Sequence, residues 1–250
     1  MNHVEHFSLG MSTLLLAYAA SVIGSLLGLV CASRLTDAVG TAAKTRWTVL
    51  GAVATGGAGI WLMHFIAMLG FATPGGEIRY DLSTTALSAL VAVVVVGLGL
   101  RIVGWGPFRV WRLLAAGVVA GSGVAAMHYT GMASMQVEGR IGYDSKLVAL
   151  SVVIAIVAAT VALWFAVVLR RGPAVATASL IMGVAVTGMH YTAMAAVRFD
   201  ADPGRSAGSG AEAFAFVLPV FLISAVVIGG LLYAVLSSAP IEERQLEPVG

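Results

Sequence analysis

Three short segments of the 250-residue chain combine imidazole and thioether groups at one fixed spacing. They read Met63-His64-Phe65-Ile66-Ala67-Met68, Met127-His128-Tyr129-Thr130-Gly131-Met132 and Met189-His190-Tyr191-Thr192-Ala193-Met194. On a helix, residues four apart lie on one face, a turn apart, so His64 pairs with Met68, His128 with Met132 and His190 with Met194. Met63, Met127 and Met189 precede the histidines and project about 100° further round the helix. They are accessory candidates, together with Tyr129 and Tyr191. Imidazole beside thioether suits a soft metal ion, copper(I) above all, whereas zinc seldom takes methionine. The plainer alternative makes the histidines hydrogen-bonding helix contacts and the methionines core filler. Three copies at one spacing weigh towards chemistry.

The elements that position these groups follow from composition. Of the residues, 59% are hydrophobic and 10% charged, and mean hydropathy is +0.96, against roughly 25% charged residues in soluble domains. So little charge leaves lipid as the solvent over most of the surface. Seven apolar runs, at 9–32, 47–70, 82–100, 110–136, 147–169, 174–197 and 211–236, reach the roughly 20 residues that a helix needs to cross a bilayer. Backbone groups in lipid must be satisfied within the segment, so the expected fold is all-α, a polytopic bundle of seven transmembrane helices. Pro173 fits the first turn of the sixth helix. Pro219 should kink the seventh. Gly24 with Gly28, and Gly117 with Gly121, have the spacing that lets helices approach closely. The expected domain is one unit over 8–236, with a tail at 1–7 outside and another at 237–250 in the cytoplasm.

Orientation follows from the distribution of positive charge. One set of loops and helix ends carries Arg34, Lys44, Arg46, Arg101, Arg109, Arg112, Arg170, Arg171 and Arg244; the other carries Arg79, Arg140, Lys146, Arg198 and Arg205. The excess predicts that the first set is cytoplasmic and the N-terminus outside. With no Lys or Arg ahead of the first apolar run, a cleaved signal peptide is not expected. The histidines recur at the length of two helices and their loops, which puts them on the second, fourth and sixth helices, all running outward. The chain therefore reads as three parallel two-helix repeats plus one helix, with His64, His128 and His190 at similar depth in the outer leaflet. His3 and His6 fall in the outer tail and read as solvated, and Met135 reads as packing.

Several function classes are disfavoured by the same pattern. A net charge of +2 does not suggest nucleic acid as a partner. The single cysteine, Cys31, excludes an intrachain disulfide. Nucleophilic catalysis lacks a carboxylate to orient a histidine within the membrane, and no enzyme activity is expected. Haem is the alternative cofactor, because His/His and His/Met ligation are ordinary for it, although three equivalent ligand sets suit two axial positions poorly. A copper transporter is a third reading, which would need ligands through the inner leaflet as well.

At Met127–Thr130 and Met189–Thr192 the chain resembles the MHYT family of bacterial membrane sensor modules, and the resemblance extends over about 8–236. The first copy departs from the motif at Phe65 and Ile66. The resemblance implies copper held near the outer face of the inner membrane and sensing of oxygen, carbon monoxide or nitric oxide. It also implies association with diguanylate cyclase, phosphodiesterase or other regulators. Only a short tail with Pro240, Glu242, Glu243 and Glu247 follows position 236, so a separate cytoplasmic signalling partner is expected.

Overall fold

The structure, a computed structural model, describes residues 4, 5, 7–74, 76, 78–170, 172–202 and 210–237. His3, His6, Glu77, Arg171, Arg205, Arg244 and the tail residues Pro240, Glu242, Glu243 and Glu247 lie outside them. The long helices are α1 (Met11–Asp37), α2 (Thr41–Met68), α3 (Leu82–Gly104), α4 (Val110–Ala133), α5 (Ser145–Val168), α6 (Gly172–Ala195) and α7 (Ala213–Leu236). All seven are long and apolar enough to span a bilayer, and the chain is a multi-pass membrane protein. Side chains such as Leu15, Leu90, Val157, Val184 and Val226 are exposed on the bundle's flanks. An apolar exterior of this extent is what lipid requires and water penalises.

The observed helices differ from the apolar runs at both ends. At the end opposite the histidines, α1 continues to Asp37, α2 begins at Thr41 and α3 continues to Gly104. Their polar and basic termini stay helical because long cationic side chains reach water from helix ends. At the histidine end, α2, α4 and α6 stop earlier than the apolar runs, at Met68, Ala133 and Ala195. The chain then enters short strands that hydropathy does not reveal: β1 (Arg79–Tyr80), β2 (Met135–Gln136), β3 (Gly139–Tyr143), β4 (Val197–Ala201) and β5 (Ala211–Glu212). β1 pairs antiparallel with both β2 and β5, and β3 with β4. The three connections at this end are thereby stitched into one cap.

Packing reveals how the repeats assemble. Contacts run α1–α2, α2–α3, α3–α4, α4–α5, α5–α6 and α6–α1, closing a ring of six helices. α7 stands outside it against α1 and α2, where Leu231 meets Leu27 and Ala54. Glycines mark the seams. A Cβ on Gly24 would overlap the backbone of Gly59, one on Gly28 the side chain of Thr55, and one on Gly117 the side chain of Thr160. The two small-residue pairs seen in the sequence are thus sites of close helix approach. At the three seams between repeats, Gly56 faces Ala92 and Val93, Gly121 faces Ala155 and Ile156, and Gly183 faces Tyr18 and Val22. Burial along Ala17–Ile23, Ser88–Val94 and Ser151–Val157 follows one identical order. α1, α3 and α5 are therefore equivalent too, with Ala17, Ser88 and Ser151 in register.

One irregularity breaks the threefold correspondence. Gly121 and Gly183 stand seven residues before their histidines, but Gly56 stands eight before His64. The extra residue is absorbed by a π-helical stretch over Val53–Trp61, the usual helical device for a one-residue insertion. His64 thus keeps its place while Gly56 keeps its seam.

Candidate metal centre

α2, α4 and α6 converge at the histidine end and bring the three imidazoles together. His64 Nδ1 lies 3.1 Å from His190 Nδ1 and 3.1 Å from His128 Nδ1. One ligand nitrogen from each ring lies within 4.8 Å of the others, and all three residues are buried. Ring centroids are 4.8, 5.1 and 5.0 Å apart, with planes at 76°, 73° and 81°. Three rings standing nearly perpendicular to one another make a nearly equilateral array, as the threefold repetition requires.

Protons alone satisfy this arrangement poorly. Each neutral imidazole nitrogen carries either one hydrogen or one lone pair. His64 Nδ1 faces two nitrogens, so as donor it splits one hydrogen between them, and as acceptor its single lone pair meets two donors. A metal ion accepts a lone pair from all three. Nitrogens each 2.0–2.1 Å from one ion lie about 3.3–3.6 Å apart, close to the two observed separations. The donor set therefore fits a metal ion.

The methionines follow the helix geometry expected of them. Met68, Met132 and Met194, one turn beyond the histidines, are buried in a single cluster with Phe65, Phe71, Tyr80 and Met135. This layer lies between the histidines and the strand cap. Met63 belongs to the same cluster, while Met127 and Met189 are buried in the larger core. Tyr129 donates to or accepts from Ser151 Oγ at 2.8 Å, and its ring meets His128 edge-on. Tyr191 meets His190 in the same manner and stacks on Phe7, but its hydroxyl has no hydrogen-bond partner within the structure.

Three contributors were not apparent in the sequence. Gly131 sits where His64 enters: a Cβ there would overlap His64 Nε2, so its lack of a side chain admits the ring. Trp61 donates from Nε1 to Ser88 Oγ at 3.0 Å, making the seam contact that Phe65, lacking a hydroxyl, cannot make. The third is the cap, where Asp81 and Asp144 begin α3 and α5. Asp81 accepts from Thr84 N at 2.7 Å and Asp144 from Lys146 N and Leu147 N at 3.0 and 3.3 Å. The Thr84 bonds hold the Asp81 carboxyl below its ordinary range. Arg198, 2.6 Å from Asp144, is the largest cause of the same effect there, backed by the two amides. An Asp followed by an apolar run is a legible helix start, whereas the strand pairings behind it are not.

Comparison with known proteins identifies the repeat. The profile of the MHYT family, described as a bacterial signalling protein N terminal repeat, matches residues 57–117, 121–179 and 183–243. The chain belongs to this family. Each match spans an even-numbered helix and the region after it, so the third takes in α7, whereas in the folded ring α1 packs against α6. The chain is 40% identical over 225 residues to the bifunctional diguanylate cyclase/cyclic di-GMP phosphodiesterase MucR of Pseudomonas aeruginosa, covering 87% of this chain and 32% of that protein. It is 43% identical over 158 residues to the cyclic di-GMP phosphodiesterase NbdA of the same organism, covering 60% and 20%. With the signaling protein YkoW of Bacillus subtilis it shares 31% over 173 residues, covering 66% and 21%. The chain thus spans a third or less of the length of these relatives. No solved structure matches it. What it shares with them is a membrane sensor module of signalling proteins.

Proposed function

We propose that this module holds a copper ion through His64, His128 and His190 and uses it to sense oxygen, carbon monoxide or nitric oxide. The carrying observation is the contact of three buried imidazole nitrogens at 3.1 Å, which one ion satisfies better than shared protons do. Met68, Met132 and Met194 supply a thioether layer on the same helix faces, which favours copper(I) among the ions that imidazole binds. Met63, Met127, Met189, Tyr129 and Tyr191 surround the centre as supporting residues. The excess of basic side chains at the opposite end supports an orientation with the centre near the outer face of the bacterial inner membrane and the C-terminal end of α7 in the cytoplasm. Output would then pass to a cytoplasmic cyclic di-GMP enzyme or another regulator. No catalytic role is assigned to the residues described.

Haem and transport fit the site less well. Rings whose centroids are about 5 Å apart leave no gap for a porphyrin between them. On the bundle axis below the histidines the lining side chains are almost all apolar, offering a travelling ion no ligands. The test is the metal content and optical spectrum of the purified protein, prepared without a histidine tag, against a variant with His64, His128 and His190 all changed to Ala. Stoichiometric copper in the wild type, lost from an assembled variant, is expected. A Soret band, or copper unchanged in the variant, would overturn the assignment.

A further inference from the structure

The residues one turn before each histidine form a layer of their own. Ile60, Val124 and Val186 stand four residues before His64, His128 and His190, on the same helix faces and one turn deeper. All three line a cavity of about 50 Å3, together with Thr55, Ala159, Ala162, Met182 and Met189. A neighbouring space of about 60 Å3 shares Thr55, Ile60, Val124, Ala159, Ala162 and Met182 and runs on towards Gly28, Val96 and Leu100. The two adjoin within the six-helix ring, and the first begins one turn beneath the histidines at Ile60, Val124 and Val186.

The chemistry of this space is one-sided. Thr55 is the one lining residue with a polar side chain, and the rest are aliphatic side chains, methionines and glycine. A water molecule needs roughly 10–15 Å3 and two to four polar partners, and apolar cavities that lack those partners stay dry and take up apolar solutes such as xenon. Beyond the histidines, the buried layer of Met68, Met132, Met194, Phe71 and Tyr80 separates the array from the cap. The apolar space thus lies on the membrane-interior side of the histidines, reaching them through Met189, the neighbour of His190. α5 and α6 line it with small side chains, Ala158, Ala159, Ala162 and Ala185, all only partly buried.

We infer that this axial cavity is a binding site for a small apolar molecule, of the class of molecular oxygen, nitric oxide, carbon monoxide or xenon. It holds the molecule within one helical turn of the histidines. As a physiological gas site it rests on the sensor reading above; as a xenon site it stands alone. Size and polarity both select the class: the cavity is too small for a drug-sized ligand and has too few polar groups for an ion or a sugar.

Xenon is the probe, because it binds by dispersion alone and needs no metal. Protein carrying 13C-labelled methionine methyls, in nanodiscs, is equilibrated under increasing xenon pressure and followed by NMR. Saturable shifts of the Met182 and Met189 methyls are expected, with no saturable shift at Met11, which is exposed at the start of α1. Ala162→Phe, which fills the cavity, should abolish the shifts while leaving copper content at the wild-type level. Absence of saturable shifts at Met182 and Met189 in the wild type would overturn the inference, whatever Ala162→Phe does. Saturable shifts in a wild-type protein that takes up no copper would remove the sensor reading and leave the cavity site standing.

Discussion

The two literal copies of the Met-His-Tyr-Thr motif carry tyrosines that the structure makes unequal. Tyr129 reaches Ser151 on α5, but at the matching position of α1 stands Ala17, and the Tyr191 hydroxyl is buried without a partner. A typical intramolecular hydrogen bond contributes about 1 kcal/mol, and removing an unpaired buried hydroxyl relieves a cost. Tyr129→Phe should therefore destabilise the protein by about 1 kcal/mol, most of it the loss of that bond. Tyr191→Phe should be neutral or stabilising. Chemical unfolding of both variants in one detergent checks this, and equal losses would refute the inequality. The inequality is invisible in the motifs themselves, because it depends on which residue an odd-numbered helix brings to the seam. By contrast, the histidines were legible from spacing alone, since helix periodicity and a common depth leave three such side chains on parallel helices few places to go. Gly131 lay in plain view, but only the approach of the His64 ring gives its missing side chain a reason.

At the scale of the elements, seven helices and their order could be read from hydropathy, and their ends could not. Hydropathy reports where lipid contact stops, not where backbone hydrogen bonding changes partner, so it leaves the strands of the cap hidden among helix ends and loops. The π-helical stretch of α2 is a sharper case. A one-residue insertion shifts everything beyond it by about 100° unless the helix absorbs it. Here Gly56 remains against Ala92 and His64 remains in the array, so Val53–Trp61 takes up the difference. Deleting Gly57 should restore a regular helix and force a choice between the α2–α3 seam and the histidine. The expected result is an assembled protein with lower thermal stability or with lost copper, although every histidine is retained. A deletion variant matching the wild type in both respects would show that the stretch does not set the register.

For the whole molecule, the repeat of three helix pairs explains closure, and the seams show how α1 rather than α7 completes the ring. The family match pairs α6 with the region that contains α7, whereas in space α1 packs on α6 and α7 lies against the outside. The chain order of three two-helix repeats plus one helix already assigns α1 to the ring and leaves α7 over, and the packing agrees with it. The physical discriminator is the seam. Gly183 accepts Tyr18 and Val22 of α1, the Tyr18 hydroxyl donates to Leu180 O at 3.3 Å, and α1 carries the same burial order as α3 and α5. Along α7 the buried hydrophobic side chains among the described residues are Val220 and Leu231. Little of the ring's cohesion can therefore come from α7. A chain ending after Glu212 keeps β5 and its pairing with Arg79 and Tyr80, and so keeps the cap. That chain, inserted in a membrane and purified, should bind as much copper as the intact protein and unfold at nearly the same temperature. Preserved binding would make α7 an appended element that neither the ring nor the histidine array requires. Loss of copper or of the assembled bundle would mean instead that α7 completes the core.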